Sequence, residues 1–325
     1  MNIEPISPVA PWLGGKRNLA KRLCAMIDAT DCTTYCEPFV GMGGVFLRRT
    51  RRPKAEVIND RGRDVSNLFR ILQRHYPQFL EVLRFQLTTR AEFNRLVETN
   101  PETLTDLERA ARFLYLQRTA FGGKVSGRNF GVAKDRPGRF NLMTLEPMLE
   151  DLHTRLAGVV IECLDWSEFV PRYDGAGTLF YLDPPYWGCE ADYGKAMFSR
   201  DDFARLAEVL RGLKGQFILS INDVPEIRDL FAWAKIEETK VIRGTVSHVA
   251  GVAFAQDIAD EPRRIAQPLS RFALGARVTL AGQFCNPVGQ RCAPSLLGGI
   301  GDPPRSLGLW AASLPHYLAI AQHHK

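Results

Sequence analysis

The stretch TLFYLDPPY, residues 178–186, decides how the rest of the chain is read. It begins as an apolar, strand-like run and stops at Asp183-Pro184-Pro185-Tyr186. Two consecutive prolines fix φ and stiffen the turn, so the strand must end in a rigid loop that carries an acid and an aromatic ring. Working outward, TTYCEPFV (33–40), AEVIND (55–60), GVVIECLDW (158–166) and GQFILSIND (215–223) read as further strands. Helical stretches lie between them, from about Val65 to Gln86, at ERAARFLYLQRTAF (108–121) and at FSRDDFARLAEVLRGL (198–213). In the last of these Ser199 and Asp202 match a capping box. Strands alternating with helices predict an α/β fold, a mostly parallel Rossmann-like sheet with helices on its faces.

The chain has 325 residues, 45% hydrophobic and 24% charged, within the range of ordinary globular proteins. No apolar run has membrane-spanning length, and the first residues, MNIEPISPVAPWLGGKR, lack the layout of a signal peptide. The seven cysteines are scattered without a C-x-x-C pair, which points away from a disulfide framework or a zinc site and fits a reducing cytoplasm. A net charge of +6 permits a polyanionic partner. Part of that charge is concentrated in RTAFGGKVSGRNFGVAKDRPGRF (118–140), which carries Arg118, Lys124, Arg128, Lys134, Arg136 and Arg139. This segment is either a solvated loop or a tracker of DNA phosphates, with Asn129 or an arginine reaching base edges.

The D-P-P-Y loop suits chemistry at an exocyclic amine, whose lone pair is delocalised into its ring. Asp183 Oδ and the Pro184 carbonyl can both accept hydrogen bonds from such an amine, favouring a pyramidal nitrogen aimed at a methyl sulfonium. Tyr186 can stack on a base that has left its duplex. Glu37-Pro38-Phe39-Val40-Gly41-Met42-Gly43-Gly44 supplies a glycine turn that lets a ligand approach the backbone. The dinucleotide pattern G-x-G-x-x-G would need a glycine where Phe46 stands, so a pyrophosphate cofactor is disfavoured. Asp60 ends the second strand and is placed either to bind ribose hydroxyls or to cap the next helix. Asp165 has the same two readings, as acceptor for a cofactor's adenine amine or as cap of the helix near Ser167. In Trp12-Leu13-Gly14-Gly15-Lys16, Lys16 can neutralise a carboxylate or a phosphate, and Trp12 can wall a cofactor. Ser220-Ile221-Asn222-Asp223 reads as structural, with Asp223 as cap of the helix VPEIRDLF, the other reading being a role near the target base.

Taken in order, WLGGK, EPFVGMGG, VIND, FLYLQRTAFGGKV, DPPYW and LSINDVPEIRDLF resemble the Dam-type adenine-specific DNA methyltransferases, phage members included, over roughly residues 8–235. The resemblance implies a class I methyltransferase sheet that binds S-adenosyl-L-methionine, with no metal, acting on double-stranded DNA as a monomer. It places Trp12, Lys16, Asp60 and Asp183 at the cofactor and active site, with Asp183, Pro184 and Tyr186 at the target amine; Phe39, Gly41 and Asp165 are further cofactor candidates. Arg118, Lys124, Arg128 and Asn129 fall in the segment expected to read DNA. Gln117 departs from the asparagine often found before that segment. RNA-adenine and protein-glutamine methyltransferases carry similar loops but usually lack this basic insertion, and a DNA-binding protein with a dead site is the alternative from another class.

The expected organisation is a catalytic domain from residues 1–64 and 151–245, a mainly helical DNA-recognition insertion at 65–150, and a divergent tail at 246–325. KIEETKVIRG (235–244) supplies one arm of a closing hairpin. The second arm is not evident after Gly251, FALGARVTLAGQF (272–284) being the best later candidate, and residues beyond about 285 are expected to be poorly packed and dispensable.

Overall fold

A computed structural model describes residues 1–255, apart from 133, 134, 136, 191–193, 195, 196, 244 and 245. The strands run apolar on consecutive positions where both sheet faces are covered, and take charged residues at the open edge. They are β1 (Thr34–Glu37), β2 (Ala55–Asn59), β3 (Val160–Glu162), β4 (Thr178–Leu182), β5 (Gln216–Asn222), β6 (Lys235–Arg243) and β7 (Val246–Ala255). They make one seven-stranded sheet in the order β3-β2-β1-β4-β5-β7-β6. The first five strands pair in parallel, and β7 runs antiparallel to both β5 and β6.

Alternation along the strands sorts two cores. Tyr35, Ile58, Leu179, Tyr181 and Ile218 face one apolar cluster, and Cys36, Val57, Phe180, Leu182, Phe217 and Leu219 face the other. The second cluster is closed by α7 (Trp166–Tyr173), α8 (Asp201–Arg211) and α9 (Pro225–Leu230). The first takes α1 (Ala20–Ala29) and five helices between β2 and β3: α2 (Arg63–Arg74), α3 (Tyr76–Leu83), α4 (Arg90–Glu98), α5 (Asp106–Thr119) and α6 (Leu142–Arg155). The insertion is thus mainly helical, and its apolar residues belong to the same cluster as one face of the sheet.

Several elements differ from the sequence reading. The expected helix from Val65 to Gln86 is broken at His75, whose backbone is non-helical (φ −128°, ψ 33°), because Pro77 in the first turn of α3 has no N–H to continue the ladder. β3 is shorter than residues 158–166 suggested and lies at the sheet edge. At α8 only the reciprocal half of the capping box is made by a side chain, Asp202 accepting from both Ser199 N–H and Ser199 Oγ–H. Asp223 does not cap α9; it pairs with Arg228 at 2.5 Å.

The largest correction concerns the hairpin. Its second arm begins immediately, at Val246, so residues 246–255 belong to the sheet and not to a tail. β7 lies between β5 and β6 and gains ladder bonds from both, which sustains a strand through Gly251, paired with Ile221 on one side and Glu238 on the other. The proposed strand at 272–284 and the segment beyond 285 lie outside the described residues. Among the described residues no helix is long and apolar enough to cross a membrane.

Candidate active site

A cavity of about 1080 Å³ opens at the carboxyl ends of β1, β2 and β4. Trp12, Lys16, Phe39, Gly41, Asp60 and Asp183 all line it, although they come from four separate segments of the chain. The glycine turn after β1 forms its floor. Gly41 has φ +50°, and a Cβ there would come within 2.5 Å of the Trp12 indole nitrogen, so the tryptophan packs directly on the turn. The Phe39 ring meets Phe198 edge-on at 6.0 Å.

Asp60 is held at the end of β2 by two backbone donors: Gly41 N–H gives to Oδ2 at 2.9 Å and Gly62 N–H to Oδ1 at 2.8 Å. Burial pushes its carboxyl up from 3.8 to about 6, against the pull of those two bonds. Asp60 therefore ties the glycine turn to the second strand and still offers carboxylate lone pairs to the cavity. Asp165 is placed differently. It does not line the cavity; Oδ1 caps α7 through Ser167 N–H (2.9 Å) and Oγ–H (2.7 Å), and Oδ2 pairs with Arg61 at 2.8 Å. Burial raises its carboxyl, but the Ser167 bonds and Arg61 outweigh that and leave it below the usual range.

At the other end of the cavity, Lys16 Nζ lies 2.6 Å from Asp183 Oδ1, donates to the Gly14 carbonyl at 3.0 Å and sits 4.6 Å over the Tyr186 ring. Sequence reading aimed this lysine at a carboxylate or phosphate of a ligand; the structure puts it on the D-P-P-Y carboxylate. Burial raises Asp183, and Lys16 opposes the rise. Pro184 and Pro185 are buried, while Asp183 and Tyr186 remain partly open. The glycine-turn segment after β1 contains a titratable group that sequence alone does not single out. Glu37 lines the cavity at 2% exposure and accepts from Tyr35 O–H at 2.7 Å, and burial lifts its carboxyl to about 8.

The basic segment is a closed loop rather than a free arm. Ala120 and Phe130 form an antiparallel bridge, with Phe121 N–H bonded to the Asn129 carbonyl at 2.8 Å. Gln117, fully buried, bolts the loop to the Trp12 segment: its amide donates to the Pro11 carbonyl at 2.8 Å and the Gly123 carbonyl at 2.7 Å. Arg118 is committed to the backbone carbonyls of Val9 and Arg139 and lines the cavity. Arg128 turns inward, donating to the Lys124 carbonyl at 3.1 Å, and burial lowers its guanidinium to about 10. Asn129 is exposed and Lys124 is half-buried. Phe121, missed in the sequence, shows 60% of its surface at the same loop. Lys134 and Arg136 lie outside the described residues.

A sheet of this order, closed by an antiparallel hairpin and carrying a ligand cavity beside an Asp-Pro-Pro-Tyr loop, defines a class I methyltransferase acting on an amino group. The chain belongs to the D12 class of N6 adenine-specific DNA methyltransferases, whose profile it matches over residues 12–245. It is 25% identical over 228 residues to the type II methyltransferase M.CviBI of Paramecium bursaria Chlorella virus NC1A, covering 70% of this chain and 86% of that one. It is 28% identical over 239 residues to the DNA N-6-adenine-methyltransferase of Escherichia phage P1 (68% and 30% covered). With the retron Ec67 DNA adenine methylase of Escherichia coli the figures are 27% over 235 residues, 70% and 81%. The protein is a DNA adenine methyltransferase, and its family uses S-adenosyl-L-methionine as methyl donor.

Proposed function

We propose that Asp183, Pro184 and Tyr186 receive an adenine extruded from double-stranded DNA, and that the cavity beside them holds S-adenosyl-L-methionine. The donor set fits that ligand. Asp60 offers a carboxylate to ribose hydroxyls at one end, Trp12 packed on Gly41 walls the cavity, and Lys16 stands near the end where a methionine carboxylate would lie. S-adenosyl-L-methionine supplies an electrophilic methyl group on its sulfonium. The protein's own residues do the rest by positioning. Asp183 Oδ and the Pro184 carbonyl accept the two N–H bonds of the adenine amine, which turns its lone pair toward the methyl group. The Tyr186 ring stacks on the base. Burial raises the Asp183 carboxyl and strengthens it as a hydrogen-bond acceptor, and Lys16, 2.6 Å away, opposes that rise.

The loop at 118–140 contacts the duplex, with Lys124 and Asn129 available at its surface and Arg118 and Arg128 holding its shape. In the same reading the enzyme works as a monomer, without a metal, in the cytoplasm. The observation that carries the proposal is that Asp183 meets Lys16 at the cavity Asp60 also lines, with the Tyr186 ring centroid 4.6 Å from Lys16 Nζ. Asp183→Ala tests it: methyl transfer to DNA is abolished while the fold, read by melting temperature, persists. A fully active Asp183→Ala enzyme refutes it.

A further inference from the structure

The loop bearing Asp183 faces a mechanical problem set by its own sequence. β4 pairs with β5 as far as Leu182 against Leu219. The chain then runs through Pro184 and Pro185, which have no N–H to donate, so main-chain pairing cannot carry the ladder onward. A side chain takes its place. Asn222, the last residue of β5, presents its amide to the main-chain N–H and C=O of Trp187, one position past Tyr186. Trp187 N–H donates to Asn222 Oδ1 at 2.9 Å, and Asn222 Nδ2 donates to the Trp187 carbonyl at 3.1 Å.

This two-point clamp fixes both the position and the tilt of the Trp187 backbone, as a neighbouring strand would. It needs one donor and one acceptor on the same planar group, which an amide provides and a carboxylate does not. The clamp itself is anchored, because Asn222 is paired with Ala250 of β7. On the other side the Trp187 ring packs 5.1 Å from Phe203 and 4.4 Å from the Arg200 guanidinium, and the Tyr186 carbonyl accepts from Cys189 N–H at 2.8 Å.

We propose that Asn222 is a positioning residue for methyl transfer: by holding the Trp187 peptide it sets the Pro184 carbonyl and the Tyr186 ring against the target base. It touches neither base nor cofactor. The inference rests on the reading of Asp183 to Tyr186 as the base-receiving loop.

The test compares single-turnover methyl transfer to duplex DNA by the full-length wild type, Asn222→Ala, Asn222→Asp and Asp183→Ala. Asn222→Ala slows transfer on the order of 100-fold, the cost of a loop displaced by about an ångström, with S-adenosyl-L-methionine affinity and melting temperature near those of the wild type. Asn222→Asp is the sharper probe. Its ionised carboxyl has no donor and sets a charge against the Trp187 carbonyl, whereas its protonated form again offers one donor and one acceptor. Its rate relative to wild type therefore recovers as pH is lowered toward the carboxyl pKa. A wild-type rate in Asn222→Ala overturns the proposal. So does a flat rate ratio for Asn222→Asp across pH, or a loss of rate matched by equal losses of cofactor binding and melting temperature, which marks a merely structural amide. If Asp183→Ala keeps its activity, the loop reading itself fails, whatever Asn222 does.

Discussion

Replacing Asp60 separates two effects that oppose each other. In the free enzyme its carboxyl is lifted from 3.8 to about 6 by burial, which at about 1.4 kcal/mol per tenfold change in proton affinity makes the ionised group cost roughly 3 kcal/mol at neutral pH. Its oxygens also satisfy the Gly41 and Gly62 N–H groups, each of which costs about 1–3 kcal/mol if left unpaired. In Asp60→Asn the charge penalty disappears, but the amide nitrogen must face one of those two donors. The terms nearly cancel, so the melting temperature stays close to wild type. Binding of S-adenosyl-L-methionine does not escape so lightly. Losing charge-assisted bonds to the ribose costs about 1.5–3 kcal/mol, roughly a 10- to 100-fold rise in Kd, and Asp60→Ala is at least as impaired because the glycine turn is also released. Titration calorimetry on the purified variants measures this directly, beside their thermal melts. Unchanged affinity in Asp60→Ala would reduce Asp60 to a tie between the glycine turn and β2 and remove the ribose from its role.

Glu37 predicts a pH signature. Its folded-state carboxyl is raised from 4.5 to about 8, so the folded protein binds this proton more tightly than the unfolded chain. The stability that proton confers is complete below the unfolded value and is lost as pH rises from about 4.5 through about 8. Glu37→Gln, which keeps an acceptor for Tyr35 O–H, should raise the melting temperature at the alkaline end of that window and much less at the acid end; an equal effect at both ends contradicts it. On the DNA side, Lys124→Ala should reduce the slope of log affinity against log salt by about 0.9 if one phosphate contact is lost. Arg128→Ala should chiefly loosen the loop that its guanidinium holds through the Lys124 carbonyl, seen as faster proteolysis there. An unchanged salt slope for Lys124→Ala would mean that the segment is only a solvated loop.

The sheet was legible from β4 because a short apolar run ending in two prolines has few other readings, and the glycine turn and Asp60 followed from their places after β1 and β2. β7 was not legible: its stability comes from bonding to strands on both sides, which no local pattern reports, and Gly251 reads locally as a breaker. Asp165 shows a different limit. An acid that follows a strand and precedes a helix has the same signature whether it caps or binds, and here Ser167 and Arg61 occupy it. The contacts of Gln117 and Asn222 were hidden for a third reason. Each matters through backbone atoms far away in sequence, Pro11 for one and Trp187 for the other, and spacing along the chain carries no trace of those contacts.

Methyl transfer to the adenine amine of DNA is measured most directly by incubating the purified protein with labelled S-adenosyl-L-methionine and duplex DNA, digesting the DNA to nucleosides and identifying the labelled product by mass spectrometry. N6-methyldeoxyadenosine is the labelled nucleoside expected, and none appears with Asp183→Ala. Label on another base, or transfer that proceeds only on RNA or protein, would contradict that activity.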